Sequence, residues 1–277
     1  MNNHKFALAR RGLEMLGLMA LACVFVFPFF WIVSTSFKTL METARYPPSL
    51  LPENFNPINY AAAFASNNFP RAGLNSLFIV LAILVLQMAV ILPASYALAF
   101  KKSRLEKPLF ALILIGLMVP DQVTFLPVYL LFSKLKLINT YVPLIVPFAA
   151  SAFGIFMVTQ SFRQIPKDVI EAAKLDKSSS LKTIWKILLP SIRPTIICFA
   201  LFSCITHWND YFWPFAMTNQ ESLRTLPMAV AKLSSVDSVK QWHVIMAGNT
   251  MLILPLLLVY LPCSKWIKRA FAYNGVK

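Results

Sequence analysis

Six runs of apolar residues, 13–36, 76–99, 109–132, 142–162, 194–215 and 244–264, dominate the 277-residue sequence. A helix needs roughly 17 to 25 such residues to cross the hydrocarbon core of a bilayer, and each run falls in that range. With 58% hydrophobic residues, 13% charged residues and a mean hydropathy of +0.64, the chain is too apolar for an ordinary soluble domain. The sequence therefore predicts an all-α, polytopic membrane protein: one transmembrane domain over 1–277 that crosses six times.

The first run follows Lys5, Arg10 and Arg11, as a secretory signal would. It is longer than the about 7 to 15 residues of a signal core, and no A-x-A-like site closes it. It reads as a retained anchor. All 26 Lys and Arg lie outside the six runs; segments 1–12, 101–108, 163–193 and 265–277 hold 18, and segments 37–75, 133–141 and 216–243 hold 8. The positive-inside rule then places both termini in the cytoplasm, leaving 37–75 as an external loop, 163–193 as a cytoplasmic loop and 265–277 as a cytoplasmic tail. The same asymmetry explains most of the net charge of +15. Charge in short segments beside membrane spans reflects anionic lipid and topology, so nucleic acid is not an expected partner.

Cys23, Cys198, Cys204 and Cys263 all lie in apolar runs without a C-x-x-C pair and read as small buried hydrophobes. The loop 37–75 carries four prolines within "YPPSLLPENFNPINYAAAF" and a short candidate helix over 57–64. No repeat of 20 to 50 residues is visible, which argues weakly against a carrier built on detectable inverted repeats.

The loop 163–193 is the most informative part. Pro166 suits the first position of a helix over 166–175, and Asp168 favours the positive end of its dipole. Val169, Ile170 and Ala173 fall on one face at helical spacing, and Lys167, Glu171 and Lys174 on another. "DKSSS" is a stop and restart signal with a serine placed to cap a second helix, in which Leu181, Ile184, Trp185 and Leu188 share a face. "LLPSIRP" ends that helix. Two short amphipathic helices outside the bilayer suit either a membrane surface or a docking site for another protein.

"EAAKLDKSSSLKTIWKILLPSIRP" resembles the EAA loop of ABC importer permeases, with Glu171, Ala172, Ala173, Ile187, Leu189 and Pro190 at the family's spacing. "LNSLFIV", "ASYALAF", "MVPDQVTFLPVYLLFSKLKLINTYVPLIVP", "WNDYFWPF" and "FAYNGVK" extend the resemblance over nearly the whole chain, to the smaller permease of maltose-type carbohydrate importers. The resemblance implies a type I importer fold and a coupling helix that fits a cleft on a cytoplasmic ATPase, with Glu171, Ala172, Ala173, Leu175, Asp176 and Lys177 at the contact. It also implies four kinds of partner: a second permease, two ABC ATPase subunits that carry ATP and Mg, an extracytoplasmic solute-binding protein, and lipid of a bacterial inner membrane. The tail residues Phe271, Tyr273, Asn274 and Gly275 would reach between the ATPases. The family's glycine is Lys177 here; a left-handed backbone at that position costs a non-glycine residue roughly 1 to 2 kcal/mol.

No G-x-x-x-x-G-K-[ST] occurs, so this chain has no P-loop of its own and must borrow its ATPase. His4, His207 and His243 stand in no nucleophile arrangement, and His207 with Asp210 makes only two ligands of a metal site; neither an enzyme nor a metal or cofactor protein is expected. Ionisable residues in a membrane run mark function by default. Asp121, between Pro120 and Pro127 where loosened helix could line a cavity, and Trp208, Asn209 and Asp210 are candidates for the translocation path. Asp210 could equally be a helix-packing group, with Trp208, Tyr211 and Trp213 forming an interfacial aromatic belt. The function expected is import of a sugar or oligosaccharide. The same machine could carry a glycerol-phosphate ester or an acidic saccharide; the reading from another class is an ion- or proton-coupled carrier.

Overall fold

The computed structural model describes residues 2–101, 103–234 and 240–272, and among them every regular element is helical. In chain order these are α1 (Asn2–Ser36), α2 (Leu40–Ala44), α3 (Ile58–Ala65), α4 (Phe69–Phe100), α5 (Glu106–Gly116), α6 (Asp121–Lys134) and α7 (Val142–Ile145). Then follow α8 (Ala152–Arg163), α9 (Lys167–Leu175), α10 (Ser180–Thr183), a π-helical turn (Ile184–Leu188), α11 (Leu189–Ser191), α12 (Arg193–Trp208), α13 (Phe212–Met217), α14 (Leu226–Leu233) and α15 (Trp242–Ala272). Four stretches are long and apolar enough to cross a bilayer: Glu14–Ser36, Phe69–Phe100, Val142–Arg163 and Trp242–Lys268. Two bent pairs, Glu106–Gly116 with Asp121–Lys134 and Ser180–Ser191 with Arg193–Trp208, bring the number to six if each is one span.

Three boundaries depart from the sequence reading. The second span begins at Phe69, so the preceding loop is shorter than expected. The last helix continues to Ala272, which makes residues 265–272 helical and puts Phe271 in the final turn; Tyr273, Asn274 and Gly275 lie outside the described residues. The third apolar run is two helices, with α5 and α6 meeting at 98° across residues 117–120. Pro120 caps α6 in an extended conformation, and the residue before a proline is itself pushed out of the helical region, so the chain turns there. Pro127, inside α6, does not break it.

The chain forms two compact units. One comprises residues 1–69 and 230–254. Here the turn after α1 is tied down by side chains. Asn59 Nδ2 donates to the carbonyls of Ser36 and Lys38, both at 2.8 Å, Ser36 Oγ meets Tyr60 Oη at 2.7 Å, and Phe37 stacks on Phe55. Thr39 and Glu42 form a reciprocal capping box at α2: Glu42 N donates to Thr39 Oγ1, and Thr39 N to Glu42 Oε2 at 2.9 Å. Cys23 is exposed, contrary to the buried expectation: none of the most apolar window of its span is buried among the described residues.

The other unit, residues 70–229 and 255–277, holds the larger apolar core. Ile91, Leu92 and Leu98 of α4, Ile155, Val158 and Phe162 of α8, Ile170 of α9, Ile184 and Leu188 of the π turn, and Phe199 of α12 pack together. Buried polar groups bridge these helices: Ser203 Oγ donates to Gln87 Oε1 at 2.7 Å, Gln87 Nε2 to Phe148 O at 3.1 Å, and Ser95 Oγ to Ile155 O at 3.1 Å. Between spans, where no water competes, such bonds satisfy groups that would otherwise be stranded and fix helix register.

Candidate functional site

The α9 hairpin is built to be held on one side and free on the other. Ile170 and Ala173 are buried, at 5% and 4% exposure, and Ile170 belongs to the same core as α4, α8 and α12. Glu171, Ala172, Leu175 and Asp176 are exposed, Leu175 to 84%. Burying one isoleucine side chain is worth about 1.5 to 3 kcal/mol, enough to make the short helix move with the spans it packs on rather than independently.

At its C-terminus, Asp176 N donates to Ala172 O and Ser178 N to Ala173 O, both at 3.0 Å, while Lys177 adopts φ 50°. A 6→1 bond across a left-handed residue is the Schellman ending that glycine normally serves. The lysine has therefore not reshaped the turn; it occupies the glycine conformation, and its side chain is exposed. Ser179 then caps α10, its side chain accepting from Lys182 N at 3.3 Å, as the sequence implied.

The second helix differs from expectation. Its four apolar residues do not share one buried face: Ile184 and Leu188 are buried at 2% and 0%, whereas Leu181 and Trp185 are exposed at 65% and 56%. Residues 184–188 form a π turn just before Pro190, whose missing N–H and ring disfavour regular α bonding, and the widened turn splits the face in two. Leu175, Leu181 and Trp185 thus remain as exposed apolar groups on the hairpin. Nearby in the same unit, Arg163 Nη2 donates to Glu106 Oε1 at 2.9 Å and to Leu98 O at 3.2 Å, tying the ends of α8 and α4 to the start of α5.

The four path candidates all sit at helix ends. Asp121 opens α6 at the positive end of its dipole and is exposed; the helix is broken before it rather than loosened around it. Asn209 follows the last turn of α12 and donates to Ile205 O at 2.9 Å. Asp210 Oδ1 accepts from Trp213 N at 3.2 Å and so caps α13. Trp208 and Trp213 are 7% and 5% exposed, which corrects the belt reading: both indoles are packed inside the unit, and Trp213 Nε1 donates to Pro143 O at 2.8 Å. An indole N–H turned inward needs an acceptor, and the α7 turn supplies it. Only Tyr211, 40% exposed, remains open. Asp210 and Trp213 line a small cleft with His207, Ser76 and Thr225.

Comparison with known proteins places this architecture. Residues 89–272 match the family model described as the binding-protein-dependent transport system inner membrane component. The chain belongs to that family. The permease is 28% identical over 268 residues to the arabinooligosaccharides transport system permease protein AraQ of Halalkalibacterium halodurans, with 95% of each chain covered. It is 28% identical over 251 residues to the sn-glycerol-3-phosphate transport system permease protein UgpE of Agrobacterium fabrum, covering 88% of this chain and 89% of that one. Its fold superposes with a TM-score of 0.83, at 22% identity and over 92% and 95% of the two chains, on a bacterial ABC transporter involved in import of the acidic polysaccharide alginate. The fold is thus that of an ABC importer permease, all α and multi-pass, and the protein is an inner-membrane transport component rather than an enzyme.

Proposed function

We propose that this permease forms half of the translocation pathway of an ATP-driven importer for a sugar or oligosaccharide handed over by an extracytoplasmic binding protein. It pairs with a second permease and two ABC ATPase subunits, which hold the ATP and Mg; both termini face the cytoplasm. The observation that carries the coupling half of this reading is the two-sided α9: Ala173 buried and Ile170 packed into the core of the spans, Glu171, Ala172 and Leu175 presented outward with Leu181 and Trp185. A rigid element held by the membrane core and offering one acid and an apolar surface can pass a displacement in either direction. The tail from Phe271 through Tyr273, Asn274 and Gly275 is a second ATPase contact in this reading.

The sugar assignment is supported by full-length similarity to an arabinooligosaccharide permease, and a glycerol-phosphate ester is the competing substrate because the glycerol-3-phosphate permeases are similar to the same degree. The test is uptake into proteoliposomes holding the assembled complex, with labelled arabinooligosaccharide and glycerol 3-phosphate in parallel, under internal ATP or an ion gradient alone. ATP-dependent sugar uptake that Glu171→Lys abolishes, with the permease still inserted, is the expected result. Wild-type uptake by Glu171→Lys would end the coupling assignment. A cysteine at Asn274 that never crosslinks to the ATPase would remove the tail from it.

A further inference from the structure

In the unit formed by residues 70–229 and 255–277, Arg193 opens α12 and Lys265 stands near the end of α15. Each lies directly outside an apolar run: 194–215 begins after the one, and 244–264 ends before the other. Successive crossings alternate in direction, so the start of the fifth and the end of the sixth emerge on the same side whichever way the chain is inserted. The fold brings the two cations to one ring: Arg193 Cζ lies 4.9 Å, and Lys265 Nζ 5.9 Å, from the centroid of the Trp266 ring. Among the described residues neither has a carboxylate within ion-pair distance. α12 also starts there with no acid in its first turn and no side-chain cap, so the positive end of its dipole adds to the field. A ring face attracts a cation through its quadrupole but carries no net charge, so the repulsion between like charges on two helices is left unneutralised. The patch calls for an anion at the level where the apolar runs end, which is the depth of lipid headgroups.

We infer that the start of α12 and the end of α15 form a site for an anionic phospholipid, its phosphate held by Arg193 and Lys265 and its acyl chains lying along α15. The cations alone would suit any phosphate or carboxylate; the helix between them and the membrane interior selects a lipid. Leu258, Leu261, Lys265 and Lys268 recur at i, i+3, i+7 and i+10 and so share one face of α15. The two leucines are 63% and 65% exposed, and both lysines are exposed. A stripe that is apolar within the membrane run and cationic just beyond it matches a molecule with acyl chains at one end and a phosphate at the other. A free phosphate or an acidic protein segment would leave the leucines uncovered. Half-buried Trp266 stands at the boundary, the level at which an indole is favoured. The planar guanidinium can give two hydrogen bonds to one phosphate, and the ammonium adds a point charge. A headgroup bound there would hold together two helix ends that their like charges push apart. The site depends on neither the transported solute nor the side on which the termini lie.

The test uses the full-length permease, with the subunits that co-purify, in detergent. It is titrated with phosphatidylglycerol or with phosphatidylcholine, and bound lipid is counted by native mass spectrometry. Phosphatidylglycerol should bind in preference, with Kd raised about 5-fold by Arg193→Gln or Lys265→Gln and about 30-fold by the two together, as the ordinary attraction of one basic residue for an anionic membrane implies. Arg193→Lys, which keeps the charge, should retain most of the preference. Lys101→Gln with Lys107→Gln removes two exposed charges of the same unit and should leave Kd unchanged. Both Arg193 and Lys265 are exposed, and a folding defect in the arginine variant would leave Lys265→Gln decisive. Equal binding of the two lipids, or an effect of the Lys101 and Lys107 pair as large as that of Arg193 and Lys265, would overturn the inference in favour of general charge. Displacement of phosphatidylglycerol by excess inorganic phosphate would assign the patch to a soluble anion. Loss of a co-purifying subunit from the double variant with lipid binding unchanged would assign it to a protein contact. Either result would overturn the lipid site. ATP-driven uptake is a separate readout, so the site can fail while the transport reading stands, and the reverse.

Discussion

Replacing Lys177 by glycine should tighten the end of α9. The lysine sits at φ 50°, where its Cβ crowds the following carbonyl at a cost of roughly 1 to 2 kcal/mol that glycine does not incur. Glycine gives back part of this, because it leaves the unfolded chain about 0.4 to 1 kcal/mol more conformational freedom. The difference is a local gain of about 0.5 to 1 kcal/mol, and since the lysine side chain is exposed, little packing is lost. Two amides report on it directly: Asp176 N and Ser178 N, bonded at 3.0 Å to the carbonyls of Ala172 and Ala173. Hydrogen exchange followed by mass spectrometry over 171–180 in nanodiscs should slow by about 2- to 5-fold in Lys177→Gly, the factor that this free energy implies at 1.4 kcal/mol per decade. Transport should be retained or rise. Faster exchange in the variant would refute the strain argument outright. Slower exchange with transport lost would show instead that the lysine makes a specific contact with a partner or with headgroups.

Asp121→Asn keeps shape and hydrogen-bonding capacity but removes the charge at the start of α6; unchanged uptake kinetics and ATPase stimulation would retire Asp121 as a path residue and leave it a helix-dipole group. Gly154→Ala should destabilise the permease by about 1 to 3 kcal/mol, seen as a lower melting temperature, because a Cβ there would lie 2.7 Å from Phe199 Cε2 and collide with Ile91 Cδ1. Burial pushes the Glu42 carboxyl up, but the hydrogen bonds it accepts from Thr39, Asn54 and Glu53 prevail and hold it below the ordinary 4.5. Its stabilising effect is therefore present above pH 4.5 and lost as pH falls through a value below that, so the protection of the Thr39 and Asn54 amides, relative to the intrinsic exchange rate at each pH, should fall on acidification below 4.5. Glu42→Gln, whose amide nitrogen cannot accept, should show the lower protection already at pH 6, and wild-type protection that does not change with pH would contradict the reading.

Local chemistry was legible wherever it acts over a few residues. The apolar runs marked which segments are long and apolar enough to cross a bilayer, four outright and two more as bent pairs, because hydrocarbon thickness sets a minimum length that can be counted. Asp168 in the first turn of α9, the serine cap at Ser179 and the stop before it could be read from spacing, since a cap bonds to an amide only two or three positions away. The glycine-like turn was marked by a residue in the wrong place, Lys177, and its backbone kept the left-handed form.

What tertiary structure decided are the features that depend on partners distant in the chain. Prolines occur inside α1, α4, α6 and α15 without ending those helices, yet the chain turns by 98° just before α6. A proline frees a carbonyl, and whether the helix survives depends on what neighbouring segments offer that carbonyl, which no local pattern records. Trp208 and Trp213 could have faced lipid by composition; Trp213 turned inward because Pro143, seventy residues earlier, has a carbonyl to accept its N–H. Lys38 looked like any loop cation until Ser49, Trp31 and Glu42 closed around it. Burying a charge is tolerable only where several groups converge on it, and their convergence is a property of the folded chain alone.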